Sequence, residues 1–250
     1  MVRLQLDERQ WLRVKAALGV RKRAGRPGRD DRNFVEAVLW WRRTGAPWRD
    51  LPSDFGPWKT VFNRFDRWAS KGIWQRLFEA LCQDHDDEWH SIDSTINRAH
   101  QHAAGAKGGP SKHGIGRSRG GLTTKVHLVV DALGLPLVFE ITEGQRHDSR
   151  PASELVQRAR SSCILADKAY DSDAFRTALD CQSCLPVIPS NGSRAGKLLY
   201  DKQLYKSRSE IECTFNLLKQ ARRFATRYEK TLRNYAAVVA LGCALLWLRV

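Results

Sequence analysis

No run of apolar residues in this chain of 250 reaches the eighteen or so that a membrane-spanning helix needs. The nearest approach, Ala236 to Leu248, is broken by Gly242 and ended by Arg249, and reads as a buried closing helix. The start of the chain, Met-Val-Arg-Leu-Gln-Leu-Asp-Glu, lacks the apolar core of a secretory leader, so a cytoplasmic protein is expected. Cysteine is thinly spread, at 82, 163, 181, 184, 213 and 243, mostly inside apolar segments. Cys181-Gln-Ser-Cys184 has no second pair at zinc-ligand spacing, which argues against a zinc ribbon and a disulfide framework and for reduced thiols. Acidic residues are scarce beside basic ones: 27 Asp plus Glu against 42 Lys plus Arg leaves a formal charge of +15 and a pI near 9.9. Such an imbalance predicts attraction to a polyanion, because neutralising phosphates releases condensed counterions. Nucleic acid is the first such partner to consider, although ribosomal and membrane-surface proteins share the charge.

The apolar pattern divides the chain. Glu8 to Leu18 has the makings of a short helix, and Arg21 to Arg29 reads as a basic linker or an arm along phosphates. From Asp30 to Trp89 the period is helical, with Phe34, Val35, Val38, Leu39 and Trp41 on one helix and Val61, Phe62, Phe65 and Trp68 on another. Between them Gly45, Pro47, Leu51-Pro52 and Gly56-Pro57 supply a turn. The second helix carries Lys59, Arg64 and Arg67, and a further helix is expected over Ile73 to Leu81. Helix, turn, basic helix is a plausible DNA-docking module, and equally a bundle that packs on its neighbour. The eight tryptophans from Trp11 to Trp89 are expected mostly to build core.

At His90 the period changes. Ser91 to Ile96 reads as a short strand, and the Gly-, His- and Lys-rich stretch 97–121, from which no core can form, as a disordered insert or a basic loop that orders on phosphate. Thr124 to Asp131 and Leu135 to Thr142 look like a hairpin, followed by a helix over Arg150 to Arg160. Cys163 to Asp167 is a buried strand ending on an aspartate, with a helix over Ser172 to Leu179 and a strand over Leu185 to Pro189 behind it. This order predicts an α/β domain with a mixed sheet and flanking helices over 87–250, preceded by an all-helical basic module over 1–86.

The stretch that organises the rest is Tyr205-Lys-Ser-Arg208-Ser-Glu-Ile-Glu212-Cys-Thr-Phe-Asn-Leu-Leu-Lys219. In a helix Tyr205, Arg208, Glu212 and Lys219 fall within about 60° of arc at roughly 100° per residue, beside an apolar stripe of Ile211, Phe215 and Leu218. A solvated ion-pair face is the ordinary meaning of such spacing. Asp93 and Asp167, each at the end of a strand, give it another, because with Glu212 they can converge at one sheet edge. Three acids together are stable as carboxylates only with a cation among them. Hard oxygen donors favour Mg²⁺ or Mn²⁺, and two such ions about 4 Å apart would serve an in-line phosphoryl displacement. Asp131, Glu140, Asp148 and Asp171 are the competing acids, of which Asp148 and Asp171 are the candidates for a supporting role. His127 and His147 could touch DNA, but internally bonded histidines are the expectation.

Those residues carry a resemblance. The ordered set Ser91-Ile-Asp93-Ser-Thr, Gly114 to His127, Leu165-Ala-Asp167-Lys-Ala-Tyr170-Asp and Tyr205-x2-Arg208-x3-Glu212-x6-Lys219 resembles the DDE-type bacterial insertion-sequence transposases of the Tyr-Arg-Glu-Lys branch, most nearly insertion-sequence family five. Trp48-Arg-Asp-Leu-Pro52 and Gly56-Pro57-Trp58 resemble the helical module that precedes the catalytic part there. The resemblance implies a ribonuclease H-like catalytic domain that cuts at the terminal inverted repeats and joins the freed 3′-OH to target DNA. It makes Asp93, Asp167 and Glu212 the metal triad, with two Mg²⁺ or Mn²⁺ ions. Tyr205, Arg208 and Lys219 would steady the DNA strands. By position alone, Arg117, Arg119 and Lys125 near the basic loop and Lys59, Arg64 and Arg67 on the basic helix are the further candidates for phosphate contacts. A homo-oligomer on DNA, at the bacterial nucleoid, is implied as well. Two other classes share these features: an inactive or domesticated DNA-binding copy, and a nuclease that cuts without joining.

Overall fold

Helix α1 (Glu8–Leu18) starts where Asp7 and Gln10 close a capping box, each side chain accepting the other's backbone N–H. Helix α2 (Asp31–Thr44) is capped by the Asp30 carboxylate and stops at Gly45, which takes the left-handed φ of 74° that a side chain would oppose. A Cβ at Gly45 would also lie 2.8 Å from Cβ of Arg222. Helices α3 (Trp58–Ser70) and α4 (Ile73–Leu81) complete the first stretch. Their buried faces are aromatic: Trp41 stacks on Trp48 at 4.0 Å, and Phe34 meets Trp68 edge-on at 4.8 Å. The expected periodicity is realised, and Trp41, Trp68 and Trp74 are buried.

The structure, a computed structural model, describes residues 6–19, 30–83 and 85–250. The basic run Arg21 to Arg29 lies outside the described residues. The chain forms two units, residues 1–83 with 218–250 and residues 84–217. No helix among the described residues is long and apolar enough to cross a membrane.

In the second unit, β1 (His90–Ala99), β2 (Gly116–Ser118), β3 (Gly121–Val130) and β4 (Pro136–Glu143) precede α5 (Ser149–Ala159), β5 (Cys163–Leu165), α6 (Asp173–Cys181) and β6 (Leu185–Val187). β1, β3 and β4 pair antiparallel, while β5 runs parallel to β1 and β6 parallel to β5. The resulting order β4-β3-β1-β5-β6, with the first strand central, is a ribonuclease H-like sheet; the short β2 pairs with the start of β3. One face is covered by α5 and α6, whose Ala152, Leu155, Val156, Phe175 and Leu179 bury against Ile92, Val129 and Ile164. The other face carries Cys163, Leu165 and Val187, against which Leu204 and Tyr205 pack. These belong to α7 (Lys202–Tyr205), which leads through a 3₁₀ turn at Lys206–Arg208 into α8 (Ser209–Lys219).

Two expectations need correction. The stretch from Tyr205 to Lys219 is not one uniform helix, because the 3₁₀ turn overwinds it before Ser209. The stretch 97–121 does form a small core: β1 continues to Ala99, and Ala99, Ala103 and Ile115 are buried together with Leu122 packed against them. So few apolar side chains, strewn among glycines, make no period that a sequence reading can detect.

After α9 (Arg222–Ala225) the chain ends in α10 (Leu232–Trp247), which is buried along most of its length as expected. It packs with α3 and α4 in the first unit, where Arg233 pairs with Asp66 at 2.7 Å and Arg42 Nε donates to Val238 O at 3.2 Å. A Cβ at Gly242 would overlap the Arg42 guanidinium, so the residue that interrupts the apolar run is what admits that arginine.

Candidate active site

Register brings the two aspartates together. Ser91 of β1 stands opposite Leu165 of the parallel β5, so Asp93 and Asp167, each two residues further on, reach the same level; Asp167 follows the carboxyl end of β5, but Asp93 lies within β1 and not at a strand end as expected, because pairing with β3 carries that strand on to Ala99. Side chains alternate along a strand, which puts both acids on the Leu165 face, toward α7 and α8, while Ile92 and Ile164 go to the opposite core. Asp167 also caps the turn that follows, accepting Ala169 N–H at 2.8 Å, which stops β5 there and fixes the carboxylate.

Helix α8 supplies the third acid. Ile211 and Phe215 are buried, and Thr214 Oγ1 donates to Gly134 O at 2.5 Å in the β3–β4 turn, so the phase of the helix on the sheet is set and Glu212 is left exposed. Arg208, from the 3₁₀ turn, joins the elements: Nη1 binds Asp93 Oδ2 at 3.0 Å and Nη2 binds Glu212 Oε1. One guanidinium thus bridges two of the three acids. Tyr205 lies under it, its ring centroid 5.9 Å from Cζ of Arg208 and 5.5 Å from the ring of Tyr200. Burial, together with the nearby charges of Asp167 and Asp148, raises the Asp93 pKa to about 6 despite Arg208 and the Ser94 N–H.

Behind Asp93 is a buried polar network. Asp148 accepts Ser94 Oγ–H at 2.8 Å and pairs with Lys125 Nζ at 2.8 Å, and Lys125 also donates to Arg146 O at 2.7 Å. These bonds hold the Asp148 pKa below the usual range in spite of burial. Tyr170 is buried facing Asp93, Asp148 and Asp167, and desolvation followed by those three charges raises its phenol well above its ordinary pKa. His127 is fully buried with Nε2 on Thr142 Oγ1 at 2.8 Å, and burial lowers its pKa to about 4, so it is an internal histidine. Ser94 and Tyr170 carried no sequence signal apart from their adjacency to the aspartates. Asp148→Ala is expected to cost about 2–4 kcal/mol by stranding a buried ammonium, and adding Lys125→Met is expected to restore most of it. Urea titrations of the two variants check this, and equal losses in both would refute the pairing.

The other predicted residues fall in distinct places. Lys125, expected on phosphate, is turned inward and engaged as described. Arg64 pairs with Asp31 and lies over the rings of Phe34 and Trp68, at 4.1 and 5.1 Å, whereas Lys59 and Arg67 are exposed on the same helix. Arg117, Arg119 and Lys219 are exposed. Asp171 binds Arg176 and Arg194, locking the 190–194 turn rather than supporting the acids. Asp131 accepts the N–H groups of Leu133 and Leu135, and His147 Nδ1 meets Ser149 Oγ at 2.9 Å.

Three carboxylates make an all-oxygen donor set suited to a hard divalent cation, and the arginine between two of them marks where positive charge is needed. Their donor atoms are not drawn together as a closed ligand group, for the guanidinium spans them.

Comparison with known proteins gives the family of the chain. Residues 86–247 match the transposase DDE domain family, and residues 6–78 match a family described as putative transposases of the IS4/5 family. The chain is 42% identical over 130 residues to a putative transposase for insertion sequence element IS6501 from Brucella ovis, covering 51% of this chain and 100% of the relative. It is 30% identical over 135 residues to a putative transposase for IS402 from Burkholderia cepacia, covering 49% and 62% of the two chains. Among solved structures, the piggyBac transposase in a synaptic complex with hairpin DNA shares the fold at a TM-score of 0.53 and 11% identity, over 97% of this chain and 71% of that one.

Proposed function

The chain belongs to the DDE transposases of insertion sequences, and from that membership we propose that it cuts DNA at the terminal inverted repeats of its element and joins the freed 3′-hydroxyl to target DNA, with Asp93, Asp167 and Glu212 as ligands for two Mg²⁺ or Mn²⁺ ions. The observation that carries this reading is the meeting of Asp93 and Glu212 on one guanidinium, with Asp167 in register beside Asp93.

Asp93, Asp167 and Glu212 would hold the two divalent ions, which when bound would activate a water or 3′-hydroxyl and stabilise the leaving oxygen. The residues around them do the rest. The Ser94–Asp148–Lys125 network holds the part of β1 that bears Asp93, and the Asp167 cap fixes the second carboxylate. Arg208, once released from the acids, is free to bind a non-bridging phosphate oxygen through charge-assisted hydrogen bonds, with Tyr205 packed beneath it. Arg117, Arg119 and Lys219 contact the DNA backbone.

Residues 1–86 act as the end-binding module and 87–250 as the catalytic part, with Lys59 and Arg67 on the exposed side of α3 reaching phosphates. The active form is a homo-oligomer that pairs two DNA ends in the cytoplasm, at the nucleoid. Lys59→Ala with Arg67→Ala is expected to weaken binding to all DNA and to flatten the slope of log K against log salt by about 2, roughly 0.9 per lost phosphate contact. An unchanged slope in fluorescence anisotropy would remove these residues from the interface.

The deciding experiment incubates the full chain with Mg²⁺ or Mn²⁺, a supercoiled target and labelled duplexes ending in the inverted repeats that flank its gene. Nicking at the repeat end and covalently joined product are expected. Nicking without joining would make it a plain nuclease, and binding without nicking an inactive copy.

A further inference from the structure

A second donor cluster lies apart from the carboxylates, in the segment leading into β1. His85 Nε2 is 3.0 Å from Asp87 Oδ1, His90 Nε2 is 3.5 Å from the same oxygen, and the three donor atoms lie within 4.8 Å of one another. Ligand atoms around a tetrahedral zinc ion, with bonds of 2.0–2.1 Å, sit about 3.3 Å apart, between the two measured separations.

His90 supplies an independent reason to expect an occupant. Its side chain is 1% exposed and its Nδ1 is fixed by Ser161 Oγ at 2.6 Å, while its Nε2 is buried with no well-formed hydrogen bond. An imidazole anchored through one nitrogen, with the other left for a ligand, is how metal-binding histidines are held. When Nδ1–H donates to Ser161, the Nε2 lone pair faces a carboxylate oxygen with nothing between them to accept either, and a cation resolves that conflict.

We propose that His85, Asp87 and His90 form a binding site for a borderline divalent metal of the zinc class, with water completing the coordination. Two nitrogens and one oxygen favour Zn²⁺ or Co²⁺ over the Mg²⁺ or Mn²⁺ that suits an all-oxygen set, so the chain sorts two classes of cation by donor chemistry. The site ties the segment before β1 to the start of β5 through Ser161, and it stands whether or not the transposase chemistry assigned above is correct.

The test uses the full chain, stripped with chelator and titrated at pH 7.5 with Zn²⁺ against a chromophoric competitor. The background is Asp93→Asn, Asp167→Asn, Glu212→Gln, so that the carboxylate site is silent. One Zn²⁺ per chain is expected, with affinity lowered at least tenfold by His85→Ala and by Asp87→Ala, whose positions are partly exposed and whose metal-free melting temperatures should stay unchanged. Co²⁺ should give a visible spectrum without thiolate charge transfer, which separates this site from the six free cysteines. Failure to bind Zn²⁺ at micromolar concentration, or affinity indifferent to both variants, would reduce the cluster to an ordinary His–Asp ion pair and overturn the proposal. So would a thiolate band in the Co²⁺ spectrum.

Discussion

Asp93→Asn, Asp167→Asn and Glu212→Gln are each expected to lower nicking and joining at the inverted repeats by at least about a thousandfold, while DNA binding stays within a few-fold of the parent. The amide replacements keep the side chain's shape but remove the charge that holds a divalent ion, so loss of chemistry with retained binding isolates the ligand role. Asp93→Asn carries the sharpest information. Its carboxyl is already raised to about 6 by burial and by neighbouring acids, so removing its charge should leave the fold as stable as before or more so at pH 7.5. A raised carboxyl pKa means that the folded state binds the proton more tightly, and the stability this confers is lost as pH rises through about 6. A variant that stays folded and binds DNA yet does not cut fits the triad. Activity persisting in any of the three would exclude that residue.

Arg208→Ala is expected to move metal affinity and turnover in opposite directions. In chelator, the variant should lose about 1–2 kcal/mol of stability, because Asp93 and Glu212 forfeit their shared partner and Glu212 is too exposed for the bond to be worth more. Because the guanidinium competes with a divalent ion for the same carboxylates, its removal should tighten Mn²⁺ binding roughly three- to tenfold. Cleavage should nevertheless fall about a hundredfold, since the phosphate loses a charged donor. Calorimetric Mn²⁺ titration and single-turnover cleavage on one preparation read both. If affinity and turnover drop together, Arg208 supports metal binding and does not compete with it.

Local pattern made much of this molecule legible. The bounds expected for Glu8–Leu18 and Ile73–Leu81 are those of α1 and α4, because amphipathic period and flanking breakers are written in consecutive residues. The strand-then-aspartate pattern at 167 was visible for the same reason, whereas Asp93 lies inside β1, which its pairing with β3 extends to Ala99. What escaped was set by distant partners. Lys125 looks like a surface cation until Asp148 and Arg146 O claim its ammonium, and Arg64 until Asp31 and Phe34 enclose it. The assignment of α10 to the same unit as α3 and α4 could not be read from a chain in which they are widely separated. It also bears on experiment. Deleting residues 1–86 would strip a buried apolar helix of its neighbours, so point variants on α3 are the sounder probe of end binding.

By itself the sequence determined the kind of chemistry available and the family: a basic chain, acids in short strand motifs, and a Tyr-Arg-Glu-Lys spacing, all fixed by residue type and short intervals. Tertiary structure decided which charges meet. Arg208 bridging two acids, Asp148 holding Lys125, and His90 anchored on Ser161 each join segments far apart in the chain. Strand register and helix phase choose such pairings, and both are set by burial of the whole core, which no local interval encodes.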